Sequence, residues 1–367
     1  MATRFTHFVI AVCLTAALCP RPALSYKLSP RGTKVDVAVA RQYSSWFDKI
    51  VTNLARTGAD HFTEPVHEEI TNRIYNCNDD DPLCNDPDSD YAGPYILAGV
   101  RWNDDPPFQL QKGEAKNLPC RTDQTIRFTT QPRCWVALFQ DAGQKAAKGI
   151  PLNAGTHASL LARSHYGDLQ FLHAMASADG EPAKDTHDKI MMWAEFTWKV
   201  SNGDYPPDAA LNTITILGFE GFFGDSGKQV QDLFALGNPA LKNWVAEVAL
   251  GSLLHVIEDS FAGGHVDRAN EGGVCPASGS LRTPGPVREF YSYINQDPDK
   301  HSEKDKRSAF LESLKGNNPT VVDVGRTVVE YHNKHAPWDQ IRPYLDCVFQ
   351  VVDPQAKASP GAAFQRD

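Results

Sequence analysis

LHVIEDSFAGGHVDR, residues 254–268, sets His255, Asp259 and His265 in an H-x3-D-x5-H arrangement at the end of a long apolar run. Residues i and i+4 of an α-helix leave one face about one turn apart, so a helix here places His255 and Asp259 side by side. The Gly263-Gly264 pair then ends the helix and lets His265 fold back toward them. Two imidazoles and a carboxylate gathered this way are a donor set for a borderline-soft dication such as zinc. Taken alone, the triplet reads equally well as two ordinary histidines beside an incidental aspartate. The rest of the chain decides between these readings.

Outward from this run, the apolar periodicity is helical almost throughout. Helices are expected over 35–56, 64–75, 135–148, 158–178, 186–200, 229–236, 239–262, 287–295, 302–314 and 319–332. Between them lie polar connectors rich in Pro, Gly and Asp, at 76–93, 104–133, 178–185, 201–208 and 269–285. No alternating strand pattern, internal repeat or true linker stands out. The expectation is an all-α fold, a single multi-helix domain over 26–352 with long disulfide-bearing loops. The tail, 353–367, reads as disordered from its polar composition.

Residues 1–25 read as a secretory signal, with Arg4, an apolar core from Phe8 to Leu18, and small residues at Ala23-Leu24-Ser25. Cleavage near Tyr26 implies a secreted or periplasmic protein. It would leave six cysteines, an even number that favours disulfides in an exported chain. Local closure pairs Cys77 with Cys84 and Cys120 with Cys134, leaving Cys275–Cys347 as a long-range staple. The formal charge of −9 falls to about −11 when Arg4 and Arg21 leave, so no general pull on phosphate backbones exists. A phosphate ester is still bound readily where metal ions supply positive charge locally.

Several further histidines stand near carboxylates. His301 and Asp305 repeat the i, i+4 pairing, although the charged stretch around them also fits a solvated helix start. Asp104 and Asp105 follow Trp102 in RWNDDPP, where Pro106 stops any helix. His165 lies in RSHYGDLQFLHAMA with His173 eight residues on, and His67 opens the helix of FTEPVHEEIT.

Together these motifs resemble the superfamily of zinc-dependent phospholipases C and the single-strand-specific nucleases of plants and fungi. The carrying features are H-x3-D-x5-H at 255–265, then H-x3-D at 301–305, Trp102-Asn103-Asp104, Ser164-His165-Tyr166-Gly167-Asp168, and His67-Glu68-Glu69-Ile70-Thr71. The resemblance implies an all-α fold holding up to three Zn2+ ions in a cleft. It assigns Asp104, His165, His255 and Asp259 to one ion, and His265, His301 and Asp305 to a second. His67 and a bridging Asp259 take the third. Two departures stand out. The family's amino-terminal Trp, which helps hold the third ion, has no counterpart near the expected cut. About 60 residues, bearing Cys120 and Cys134, separate Asp104 from His165, and Asp105 and His173 remain rivals for those two assignments.

The activity implied is hydrolysis of phosphodiesters by a metal-activated water, with Asp104 as the catalytic carboxylate that orients it. No P-loop, G-x-G-x-x-G or G-x-S-x-G frame points elsewhere. Phospholipid is the first substrate reading: ITILGFEGFFG at 214–224 offers three Phe for acyl chains or a membrane surface, although the same stretch also reads as a buried helix turn, and the acidic charge slightly disfavours long nucleic acid. A nuclease or nucleotidase is the alternative, and a non-catalytic secreted zinc-binding helical protein is a second one. No protein partner is implied.

Overall fold

The computed structural model describes residues 27–30, 32–36, 62–110, 118–156, 158–224, 227–316 and 319–366. The expected signal segment and nearly all of the expected 35–56 helix lie outside the described residues. The fold is mostly α-helical. In chain order the helices are α1 (Val66–Ile74), α2 (Pro94–Val100), α3 (Pro132–Ala147), α4 (Leu160–Tyr166), α5 (Ala183–Ser201) and α6 (Phe219–Phe223). They continue as α7 (Val230–Ala235), α8 (Val245–Asp259), α9 (Pro298–Ser302), α10 (Arg307–Gly316), α11 (Val321–Asn333) and α12 (Trp338–Val348).

Helix α8 is the axis of the molecule. Its sequence VAEVALGSLLHVIED is apolar nearly all round, and from Val248 to Asp259 every residue is buried. It runs against α2 and α5. The contact with α2 is backbone on backbone: a Cβ at Gly251 would stand 2.2 Å from the Ile96 carbonyl oxygen, and one at Gly99 2.2 Å from that of Val248. Side-chain hydrogen bonds lock the same crossing. Trp193 Nε1 donates to Ser252 Oγ (3.1 Å), Ser252 to Asn103 Oδ1 (2.6 Å), and Asn103 Nδ2 to the Leu172 carbonyl (2.7 Å). The turn after α2 is thereby fixed against α5, α8 and residue 172 at once.

Beside this main core lies a smaller aromatic one, in which Phe62 stacks on Phe128 (centroids 3.8 Å) and Trp135 on Phe139 (5.0 Å). The long stretch between Asp104 and His165 thus lines the His165 side of the molecule, with the Phe139 ring 5.1 Å from that imidazole. All three expected disulfides form: Cys77–Cys84, Cys120–Cys134 and Cys275–Cys347. The last spans 72 residues, which in the chain-entropy view is worth up to about 4 kcal/mol.

Several expectations are corrected. The fold carries two small antiparallel pairs, β1 (Val266–Arg268) with β4 (Val287–Phe290) and β2 (Gly273–Cys275) with β3 (Leu281–Thr283). Strands of three or four residues are too short to display a period of two, and β4 occupies ground expected as the 287–295 helix. The expected 158–178 helix breaks at Gly167, whose backbone passes so close to the Leu152 carbonyl that a Cβ would lie 1.9 Å from it. His173 therefore sits on a separate 3-10 turn, Gln170–His173. His301 ends α9 while Asp305 stands in the turn before α10. Helix α12 was not anticipated, and Pro343 inside it explains why. The tail is ordered rather than disordered: Ala358 exchanges backbone hydrogen bonds with Gly180 and Glu181, Phe364 is buried, and its carbonyl accepts from Asp297 N. Two small apolar anchors in a polar stretch escaped the compositional reading.

Filling the α2–α8 contact is expected to be costly. Gly251→Ala should destabilise the chain by about 3 kcal/mol, while Gly221→Ala, where nothing lies within 4 Å of the added Cβ, should stay within about 0.5 kcal/mol. Urea unfolding of the two variants measures the difference, and equal midpoints would contradict the close crossing.

Candidate metal centre

The helix α8 brings His255 and Asp259 onto one face, as the i, i+4 spacing requires, with His255 Nε2 2.9 Å from Asp259 Oδ2. His173 completes a tight triangle, its Nδ1 3.1 Å from His255 Nε2 and 3.0 Å from Asp259 Oδ2. Two ligands bonded to one dication at about 2.0–2.2 Å stand about 3.0–3.4 Å apart, so these three donors are already at nearly ligand spacing. Asp104 joins from the turn after α2, with Oδ1 3.7 Å from His173 Nδ1 and 3.9 Å from His165 Nε2. His67, near the start of α1, places Nε2 3.4 Å from Asp259 Oδ1 and 3.8 Å from Asp104 Oδ2. Beyond Asp259, His265, His301 and Asp305 form a further group, with His301 Nε2 3.2 Å and His265 Nε2 3.8 Å from the Asp305 carboxylate.

All eight sequence-derived residues, His67, Asp104, His165, His255, Asp259, His265, His301 and Asp305, thus converge. Their donor atoms fall into three overlapping triplets and a separate one, His265, His301 and Asp305, each of which could hold a metal ion, with His173 as a ninth member. His173 had been weighed only as a rival of His165; the structure uses both, and it is His173 that meets His255 and Asp259 directly. Asp105 turns away. Its Oδ1 accepts from Phe128 N (2.8 Å), and it joins a buried ion-pair network in which Arg127 also meets Asp36 and Arg101 meets Glu68. The 301–305 pair is buried rather than a solvated helix start.

The tautomers follow from the outer partners. His255 Nδ1 donates to the Val100 carbonyl (2.7 Å), His265 Nδ1 to the His173 carbonyl (2.7 Å), and His165 Nδ1 to the Leu161 carbonyl (2.9 Å). His67 Nδ1 donates to Glu258 Oε2 (2.6 Å), and His301 Nδ1 to Gln296 Oε1. A carbonyl only accepts, so Nδ1 carries the proton and Nε2 is left facing inward. Imidazole ligands of metals are held in this way. The Nε2 atoms of His173, His265 and His301 are buried with no hydrogen-bond partner. Burial of an unsatisfied nitrogen is expensive unless a cation shares it, so the donor set fits a metal. Burial also holds the His173 and His265 imidazoles well below the ordinary histidine range, in the neutral form that ligates. It pushes the Glu258 carboxyl well above its usual range, opposed by the hydrogen bond from Thr71.

Glu258 and Gln296 were missed in the sequence. Glu258 adjoins Asp259 but leaves α8 on another side, toward a His67 191 residues away, and no local spacing announces that. One groove adjoins the cluster, lined in part by Phe139, Gln140, Gln144, Tyr166, Tyr293 and Arg366. Its Phe139 ring lies 5.1 Å from His165 and its Tyr293 ring 5.3 Å from His301; His165 and His173 are each 4% exposed, whereas the other seven members are at most 1% exposed. Two of its lining residues, Tyr166 and Tyr293, have ring centroids 5.4 Å apart.

Comparison with known protein families, with curated proteins and with solved structures finds no match to this chain.

Glu258→Gln keeps the shape of the His67 support but replaces its carboxyl with an amide. Zinc titration followed by calorimetry should show the tightest binding weakened roughly 10–100-fold; unchanged affinity would remove Glu258 from the site.

Proposed function

We propose that this chain is an exported, zinc-dependent hydrolase of phosphodiesters, acting through a metal-activated water, of the phospholipase C and single-strand nuclease type. The observation that carries this reading is the convergence of six imidazoles and three carboxylates, five of the imidazoles fixed through Nδ1 with Nε2 turned inward. Clustered dications polarise a phosphoryl oxygen, lower the pKa of a coordinated water and steady the leaving oxygen. The chain's own residues supply the remainder. Asp104, at the junction of the His67 and His173 groups, orients the water. The Nδ1 hydrogen bonds keep the ligands from turning. Three disulfides accord with an oxidising compartment outside the cytoplasm, and among the described residues no helix is long and apolar enough to cross a membrane.

The substrate reading shifts with the burial pattern. In the 214–224 segment Phe219 and Phe223 are buried, Phe222 packs on Phe171, and Leu217 alone among its large apolar side chains is fully displayed. That segment therefore offers little to acyl chains. The groove lined by Tyr166, Tyr293, Gln140, Gln144 and Arg366 favours the second reading, a nucleotide or single-stranded nucleic acid, because amides, tyrosines and a guanidinium suit a polar, planar, anionic group.

Parallel assays on phosphatidylcholine vesicles and on single-stranded DNA, with and without chelator, separate these readings. Cleavage of one substrate that stops in chelator and returns with Zn2+ is the expected result. In that assay His255→Ala should lower kcat/KM by a factor of at least about 1,000, equivalent to about 4 kcal/mol. Bound zinc with neither substrate cleaved would turn the reading toward a non-catalytic zinc-binding protein.

A further inference from the structure

We infer that Asp104 adds a second carboxylate bridge beside the bridging Asp259 that the resemblance implies, each giving one oxygen to an ion held by His67 and the other to an ion held by His173 and His255. The inference rests on the metal reading above and deepens it. Each carboxylate has its two oxygens turned toward different imidazoles. Asp259 Oδ1 faces His67 Nε2 at 3.4 Å, while Oδ2 faces His255 Nε2 at 2.9 Å and His173 Nδ1 at 3.0 Å. Asp104 repeats the division: Oδ2 faces His67 Nε2 at 3.8 Å, while Oδ1 faces His173 Nδ1 at 3.7 Å and His165 Nε2 at 3.9 Å. Bridging carboxylates with diverging oxygens suit ions about 3.5–4 Å apart.

The surroundings hold this division in place. His67 and His255 stack with ring centroids 4.1 Å apart and planes 23° from parallel, so the two rings present their inner nitrogens to neighbouring points. The His255 proton is committed to Val100 on Nδ1, which leaves Nε2 for the ion shared with His173. Asp104 cannot rotate with its turn, because Asn103 and Trp102 on one side and Asp105 on the other are each hydrogen-bonded into the core.

The bridge has two consequences. The His67 ion gains three side-chain ligands, His67, Asp104 and Asp259, all from within the described fold, and so needs no group from the chain's amino terminus. With both oxygens committed, Asp104 orients the water through the ions it would hold rather than by taking its proton.

The test is a zinc count. Wild type, His67→Ala, Asp104→Asn and the Asp104→Asn/His67→Ala double variant are saturated with Zn2+, dialysed and analysed by plasma mass spectrometry, with circular dichroism as the check on folding. The bridge predicts one ion fewer in His67→Ala and no further loss when His67→Ala is added to Asp104→Asn. A double variant holding one ion fewer than Asp104→Asn overturns the bridge, since His67 then binds its ion without Asp104. A wild type with no zinc overturns the bridge and the metal reading together. Should Asp104→Asn not fold, wild type carrying a peptide extension ahead of Tyr26 replaces it. An unchanged count supports an ion held within the fold, and the loss of one ion overturns it.

Discussion

The hydrogen bond from an imidazole Nδ1 to an outer acceptor is the interaction on which the cluster depends. His67, His165, His255, His265 and His301 each make one, and the acceptors come from Glu258, Leu161, Val100, His173 and Gln296. Three of the five are backbone carbonyls, which cannot exchange roles with the donor. Ring orientation and protonated nitrogen are therefore set by the course of the main chain, not by the cluster itself. Inward-facing nitrogens gathered in a buried space are a donor set that could share a cation.

The main chain can impose this because α2 and α8 touch through Gly99 and Gly251. The contact brings the Val100 carbonyl onto His255 and the turn bearing Asp104 across the mouth of the His67–His255 stack. It also forces the neighbouring charges inside. Arg101, Glu68, Asp36, Arg127 and Asp105 are all buried, and such pairs contribute more to arrangement than to net stability. Two members adjoin ligands in sequence, Glu68 beside His67 and Asp105 beside Asp104. The network therefore fixes both ligand-bearing turns from behind.

Much of this was legible in the sequence, for reasons of period and chemistry. An i, i+4 spacing on an apolar run placed His255 and Asp259 on one face, and local closure gave two disulfides and left Cys275–Cys347 as the third. The helical character followed from the 3.6-residue pattern. What escaped was tertiary. A helix broken at Gly167 by the Leu152 carbonyl moved His173 into the centre, and nothing in RSHYGDLQFLHAMA reveals that carbonyl. Asp104 and Asp105 are chemically identical neighbours, distinguished only by an arginine pair that arrives from Arg101 and Arg127. The two β-pairs are too short to show alternation, and the tail is held by Ala358 and Phe364 rather than by any periodic face. For the Phe residues at 219 and 223 the sequence left a surface contact and a buried turn both open, because apolar character alone does not say which side of the fold receives it; both are buried.

The clamp on Gln296 bears on the order in which the molecule is assembled. Gln296 supports His301 and also donates to the carbonyls of Gly264 and Pro360, while Arg366 Nε donates back to the Gln296 carbonyl. A nascent chain emerging from its amino end has every candidate ligand from His67 to Asp305 available before residues 360–366 appear. The His265–His301–Asp305 group is then present but unbraced, with the Gln296 amide free to swing. Its final geometry is reached only after the last sixty or so residues have emerged.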